Sequence, residues 1–255
     1  MKIGIIQGRL SSEENGFQET PSNWRREFEL LEELKLNHIE WVITKKSFLD
    51  NPLFKEDTFD LPISSLCADH IVDAKIVNKS FLFDSLVPLC EYALKNKIPS
   101  ITIPLLEDSD VKDNKHRADF NKNFSELIKI YDKLNFSIEA ELPPHKLMEI
   151  INAGDNVSVT YDTGNITSSN LDHEEYITHL LPKINNIHLK DRTYNAKTVQ
   201  PGTGDTNFDV IFNVLSKMKY NGVFTLQTAR GPNGREIETI KEHKKMFEEI
   251  YNEYN

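Results

Sequence analysis

Two cysteines, Cys67 and Cys90, stand in 255 residues, and no Cys-x-x-Cys pair occurs. That scarcity leaves no disulfide framework, and a reducing cytoplasm is the expected compartment. No apolar run approaches 18 residues, so no segment is expected to span a membrane. The opening MKIGIIQGRL has one Lys and then a short apolar stretch broken by Gln7 and Arg9. A secretory leader needs a longer apolar region and a small-residue cleavage site. No Gly/Ser-rich linker or low-complexity tract divides the chain. Positive charge is in deficit as well: 30 Lys and Arg against 40 Asp and Glu give a formal net charge of −10. General binding to nucleic acid or an anionic membrane needs a positive surface, so neither is expected as a partner. A local positive pocket is compatible with that balance.

What is present is a rhythm. Fourteen Phe and eight Tyr supply material for a sizeable core. Eight short β-branched runs read as strands: 2–7, 38–43, 63–68, 100–105, 136–141, 157–161, 184–190 and 223–228. Several are continuous apolar runs of the kind a buried parallel sheet uses. Between them lie helical stripes. Trp24, Phe28, Leu31 and Leu34 follow a Ser22 or Asn23 cap, and Phe120, Phe124, Leu127, Tyr131 and Leu134 form a second stripe. Phe208, Ile211, Phe212, Leu215 and Met218 form a third, and Ile237, Ile240, Phe247 and Ile250 mark the last helix. Weaker helices fit 85–96, 144–153 and 173–182, with a short one at 47–55. Eight β/α alternations in this length predict a single α/β domain over 1–255, a (β/α)8 TIM barrel. A doubly wound sheet is the other candidate, but QGRL stands where its GxGxxG phosphate fingerprint belongs.

In a barrel of this kind the chemistry sits at the C-terminal ends of the strands. Those ends carry Gln7, Arg9, Glu40, Asp69, His70 and Glu107 in the first half of the chain. The second half is richer, with Glu139, Glu141, Asp162, Asn165, His188, Lys190, Arg192, Gln227 and Arg230. Glu139, Asp162, His188 and Gln227 each interrupt or end an otherwise apolar strand, and the four strands are consecutive. Any one of them alone reads as a satisfied polar group. Four oxygen or nitrogen donors at one mouth suit a single divalent cation, Mn²⁺, Mg²⁺, Co²⁺ or Zn²⁺. His188 would bind it as a neutral imidazole, which calls for an acceptor on its other nitrogen.

The phrases IEAELPP, VTYDTGN, NIHLKDR, PGTGD and GVFTLQTAR resemble the sugar-phosphate isomerase/epimerase family, the xylose-isomerase-like barrels. The resemblance covers QGRL in the first strand and nearly everything from 136 to 231. It implies one barrel with one divalent metal, held by Glu, Asp, His and Glu from strands five to eight, the two Glu serving also as acid/base groups. The first three ligands match Glu139, Asp162 and His188, with Glu139 catalytic. The fourth falls on Gln227, a departure from the family. A Gln carbonyl oxygen can ligate a cation, but the amide cannot move a proton. Two-face epimerisation calls for two acid/base groups, whereas aldose–ketose isomerisation can run on one. Glu141, Asp69, His70 and Glu40 are possible stand-ins for the second.

Lys190, Arg192, Arg230 and Arg9 gather positive charge at the mouth, and PGTGD (201–205) precedes a helix expected to begin near Thr206–Asn207. Glycine-rich backbone and free helix N–H groups there would suit a phosphate. Asn165 and His70 are the remaining candidates for substrate contact. His38, His116, His145, His173, His179 and His243 read as surface residues. The expected activity is isomerisation or epimerisation of a small sugar or sugar phosphate through an enediolate, with an enediolate-linked dehydration as a related outcome. Two other classes stay open: a metallohydrolase like the abasic-site endonucleases, and a non-catalytic metal- or sugar-binding barrel. An oligomer is compatible with everything above.

Overall fold

A computed structural model describes residues 1–14, 19–46, 48, 50–55 and 61–254. Eight parallel strands, β1 Lys2–Ile6, β2 Ile39–Val42, β3 Ile63–Cys67, β4 Ser100–Leu105, β5 Asn135–Ala140, β6 Val157–Asp162, β7 Ile184–Leu189 and β8 Val223–Leu226, follow one another in space. β1 pairs with β8 and closes the barrel. Helices cover every crossover, from Trp24–Leu34 after β1 to Glu236–Tyr254 after β8. This is the expected single (β/α)8 TIM barrel.

The apolar residues of each helix stripe explain where the core sits. Trp24, Leu31 and Leu34 are buried, and Phe28 stacks on Trp41 of β2 with ring centroids 5.8 Å apart. Phe124 meets Phe136 of β5 edge-on, and Phe212 stacks on Phe224 of β8. The main apolar layer therefore lies between the strands and the helices. Inside the barrel, inward positions of several strands carry buried polar groups: Glu40, Ser65, Thr102, Ser137, Thr160, Asn186, His188 and Thr225. Each must find hydrogen bonds, because an unpaired polar group in this setting is costly.

Local differences from the sequence expectation have physical reasons. The helix expected at 85–96 spans Lys79–Lys95; Asn78 caps it by accepting the Phe81 N–H, and Pro88 lies inside it. Around 47–55 the helix is confined to Pro52–Lys55, and positions 47 and 49 lie outside the described residues. A six-residue helix, Thr163–Ser168, follows β6 directly and is too short to show a periodic stripe. After β7, Asp191–Arg192 and Thr198–Val199 form a small antiparallel hairpin. Among the described residues no helix is long and apolar enough to cross a membrane.

Candidate metal centre

β7 carries His188 into the barrel, register-paired with Asp162 of β6 on one side and Thr225 of β8 on the other. The His188 ring is fully buried, and its Nε2 lies 2.6 Å from a carboxylate oxygen of Glu40, itself fully buried on β2. Burial alone would raise the Glu40 carboxyl, but the facing His188 and hydrogen bonds from His188, Thr102 and Ser65 bring it down to about 2. An ionised carboxylate only accepts, so the proton on this nitrogen belongs to His188. Thr102 donates to the other Glu40 oxygen at 2.6 Å, and the Asn186 amide adds a bond of 3.0 Å. Glu40 thus fixes both the ring orientation and the tautomer.

The opposite nitrogen, Nδ1, is buried and makes no hydrogen bond among the described residues. It lies 3.5 Å from Glu139 Oε2 and 4.0 Å from Asp162 Oδ2. One donor atom from each of Glu139, Asp162 and His188 falls within 4.8 Å of the others. Asn165 donates its amide to Glu139 Oε1 at 2.7 Å, leaving Oε2 toward the histidine. The other Asp162 oxygen, Oδ1, accepts the Asn165 N–H at 2.8 Å and so caps the Thr163–Ser168 helix.

The Lys190 ammonium reaches into this group. Lys190 Nζ is 3.2 Å from Asp162 Oδ2, 3.4 Å from Gln227 Oε1 and 3.5 Å from Asn165 Oδ1. Gln227, one residue beyond β8, presents its carbonyl oxygen to the same positive group. Two carboxylates, an amide oxygen and an orphaned imidazole nitrogen are a donor set that a divalent cation accepts. The residues present therefore fit the metal.

Burial raises the Glu139 carboxyl well above the usual carboxylate range; His188 opposes that shift and Asp162 adds to it. On His188 burial acts downward, yet Glu40, Glu139 and Asp162 outweigh it and the imidazole is pushed up in the metal-free protein, so a cation bound at Nδ1 would displace a proton.

Above the centre opens a cavity of about 610 Å³. Glu139, Asn165, Lys190, Arg192, Gln227, Arg9 and Arg230 all line it. One wall carries Asp69, Glu107 and Asp110. Burial, then the neighbouring Glu107 and Asp73, raise the Asp69 carboxyl to about 6. Glu107 holds a left-handed backbone conformation, φ +52°, which is uncommon outside glycine. Glu141 follows the last residue of β5 and sits at the rim, 3.1 Å from Lys112 and 3.8 Å from Arg192.

Several expectations need correction. His70 is not among the cavity-lining residues: it is buried, stacks on Phe48, and its Nε2 donates to the Ser85 carbonyl at 3.2 Å. PGTGD does not offer its N–H groups to an external anion. The Asp191 carboxylate accepts from Gly202, Gly204 and Thr206. It lies so close to the Gly204 backbone that a Cβ there would collide with it. Of the histidines expected at the surface, His38 and His243 are buried and His173 is half-buried. His38 bonds Thr225, His243 bridges Thr228 and Gln200, and His173 bonds Tyr161 and Thr167. Cys67 lines the cavity, but burial pushes its thiol up, away from thiolate chemistry. The role of Glu40 was the main omission; its signal was a lone carboxylate at an inward position of the apolar strand IEWV.

The xylose isomerase-like TIM barrel model matches residues 57–250, and this chain belongs to that family. Solved structures with the same fold include an L-ribulose 3-epimerase (TM-score 0.74, 13% identity, 99% of this chain and 95% of that one). A D-tagatose 3-epimerase-like protein superposes with TM-score 0.70 at 18% identity over 99% of both chains. IOLI, solved with a bound zinc atom, gives 0.71 at 14% identity over 100% of this chain and 99% of that one. In sequence, an inosose dehydratase of Bacillus thuringiensis (strain Al Hakam) is 28% identical over 105 residues. That match covers 34% of this chain and 35% of the relative, so the aligned segment spans about a third of either protein.

Proposed function

We propose that this chain is a divalent-metal-dependent isomerase or epimerase acting on a small sugar or sugar phosphate through an enediolate. The observation that carries the reading is the buried, unbonded His188 Nδ1 facing Glu139 and Asp162. An orphaned nitrogen in a fully buried ring is costly unless a further group completes it. Glu139, Asp162 and His188 would hold the cation, with Gln227 as the fourth, neutral donor. When bound, the cation polarises the substrate carbonyl and stabilises the negative charge that develops there.

The side chains divide the remaining work. Glu139, with its carboxyl raised by burial, is matched to taking a proton from carbon and returning it near neutral pH. Asn165 holds one oxygen of that carboxylate still. Lys190 brings a positive charge to the Asp162 and Gln227 oxygens beside it and can donate to a substrate hydroxyl. Gln227 orients but cannot transfer a proton. A single-base isomerisation therefore fits best; of the possible second bases, Asp69, with its carboxyl near 6, lines the same cavity.

Dehydration is the second reading, favoured by the local similarity to inosose dehydratase. The same enediolate expels a β-hydroxyl instead of being reprotonated.

The deciding experiment incubates the Mn²⁺-loaded protein with pentulose, tetrulose and hexulose phosphates and their neutral parents in deuterium oxide. Isomerisation with deuterium at one carbon supports the one-base reading. Epimerisation with exchange on both faces requires a second base, and water loss selects the dehydratase. A protein that binds no divalent metal contradicts the proposal outright.

A further inference from the structure

Arg9 follows β1 and Arg230 follows β8, and these strands are hydrogen-bonded neighbours, so the two loops meet at the barrel mouth. Arg9 is only 5% exposed, and its Nε donates to the Thr228 carbonyl at 3.1 Å. The Arg230 side chain is 16% exposed; Nη1 donates to the Ser11 carbonyl at 2.9 Å, while the buried Nε makes no hydrogen bond among the described residues. Gly8 makes the approach possible. It holds φ +80°, and a Cβ placed there would come within 3.1 Å of Arg230 Nη2.

Two guanidinium groups lining one cavity repel one another, and burial removes the water that would screen them. The effect is visible on Arg9, lowered to about 9 by burial first and by Arg230 next, against partial compensation from Glu27 and Glu13. The carboxylates facing the pair are Glu27, Glu13 and Glu236. Glu27 is committed to the backbone, accepting the N–H groups of Gly8 at 2.7 Å and Leu10 at 3.2 Å. Glu13 is 3.9 Å from Arg230 and 42% exposed. Glu236 bonds Ser12. Both arginines line the cavity that Glu139 and Lys190 line. Two guanidiniums lining one cavity suit the oxygens of a phosphate or carboxylate.

We infer that Arg9 and Arg230 form an anion subsite, which takes the phosphate or carboxylate group of a substrate whose reacting end lies at Glu139. The assignment rests on the proposed sugar chemistry for its second half only. Asp69, Glu107 and Asp110 line the same cavity from the loops after β3 and β4, across the barrel from the seam of β1 and β8; they repel an anion and accept hydroxyl hydrogens. The two walls together fix the direction in which an acidic sugar lies.

The test compares wild type with Arg230→Met, Arg230→Lys and Arg9→Met, each checked for fold by circular dichroism and for Mn²⁺ stoichiometry. Inorganic phosphate, a pentulose 5-phosphate, a pentonate and the neutral pentulose are titrated calorimetrically at constant ionic strength. Phosphate and the sugar phosphate bind wild type, at least tenfold more weakly in Arg230→Met, and with intermediate affinity in Arg230→Lys. The pentonate against the sugar phosphate separates the two anion sources. If Arg9→Met does not fold, the Arg230 pair of variants decides alone. Equal phosphate affinity in wild type and Arg230→Met, or no phosphate binding by either, overturns the subsite. Turnover of neutral sugars with no anion dependence sinks the subsite and leaves the isomerase standing. Arginine-dependent anion binding without turnover of any sugar does the reverse.

Discussion

His188 Nε2 and Glu40 Oε2 are 2.6 Å apart, on side chains that are both fully buried and 148 positions apart in the chain. This contact turns a histidine on β7 into an oriented donor: the proton is held on Nε2 and Nδ1 is left for the centre. Partners of this kind are worth about 10–100-fold in metal affinity. Glu40→Gln keeps the shape but removes the charge, so Mn²⁺ affinity falls within that range by titration calorimetry. Unchanged affinity would reduce Glu40 to packing.

The ligand set predicts a graded response. His188→Ala and Asp162→Ala bind no stoichiometric metal by elemental analysis, because each loses a buried donor. Gln227→Ala retains a weakened site, since a neutral amide contributes least to cation attraction. Gln227→Glu adds a carboxylate and binds the cation at least as tightly as wild type. Equal metal content in all three alanine variants contradicts the assignment.

Lys190 places its ammonium where a divalent ion would share oxygens with it, 3.2 Å from Asp162 and 3.4 Å from Gln227. Lys190→Met removes the charge that compensates Asp162 and Glu139 in the metal-free protein. The apo variant therefore melts below wild type, and saturating Mn²⁺ raises its Tm by more than it raises that of wild type. Matching Tm increments would show that the lysine and the ion do not share the site.

Gly8→Ala forces a Cβ onto a backbone at φ +80°. A left-handed residue of this sort costs about 1–2 kcal/mol, read as a lower urea midpoint. The same Cβ presses on Arg230, so phosphate affinity falls alongside stability. A loss of stability with phosphate binding intact would place Arg230 elsewhere.

Burial lowers His70 to about 4, although its hydrogen bonds to backbone act the other way. The unfolded chain, titrating near 6.5, then binds more protons than the folded one between these values. The stability contributed by neutral His70 is complete above pH 6.5 and is lost as pH falls toward 4. His38 and His173, also lowered to about 4, push wild type the same way and cancel in a comparison with His70→Gln. The stability gap between wild type and this variant narrows by roughly 2 kcal/mol from pH 7 to pH 5, at about 1.4 kcal/mol per pH unit. A constant gap would mean that His70 titrates alike in the folded and unfolded chain.

Local pattern carried the architecture. Strand runs and helical stripes are properties of neighbouring residues, so eight alternations could be read before any contact was known. Glu139, Asp162 and His188 were legible for a related reason: a charged residue inside an apolar strand has to be explained by what it meets in the interior. The matching strand depth then placed all three at one mouth.

Three other relationships were decided by tertiary contact, two of them by closure of the barrel. Glu40 reaches His188 across the interior, and Asp191 folds back into the glycine loop that sequence alone offered to a phosphate. Arg9 and Arg230 become neighbours because β1 meets β8, 219 positions apart along the chain between Arg9 and Thr228. The burial of His38 and His243 was likewise invisible, since burial depends on what packs against a residue and not on its own flanking sequence. Periodicity specifies which face of an element is apolar; which polar groups share an enclosed space, and so which charges must compensate one another, is set by strand order and register once the chain has closed on itself.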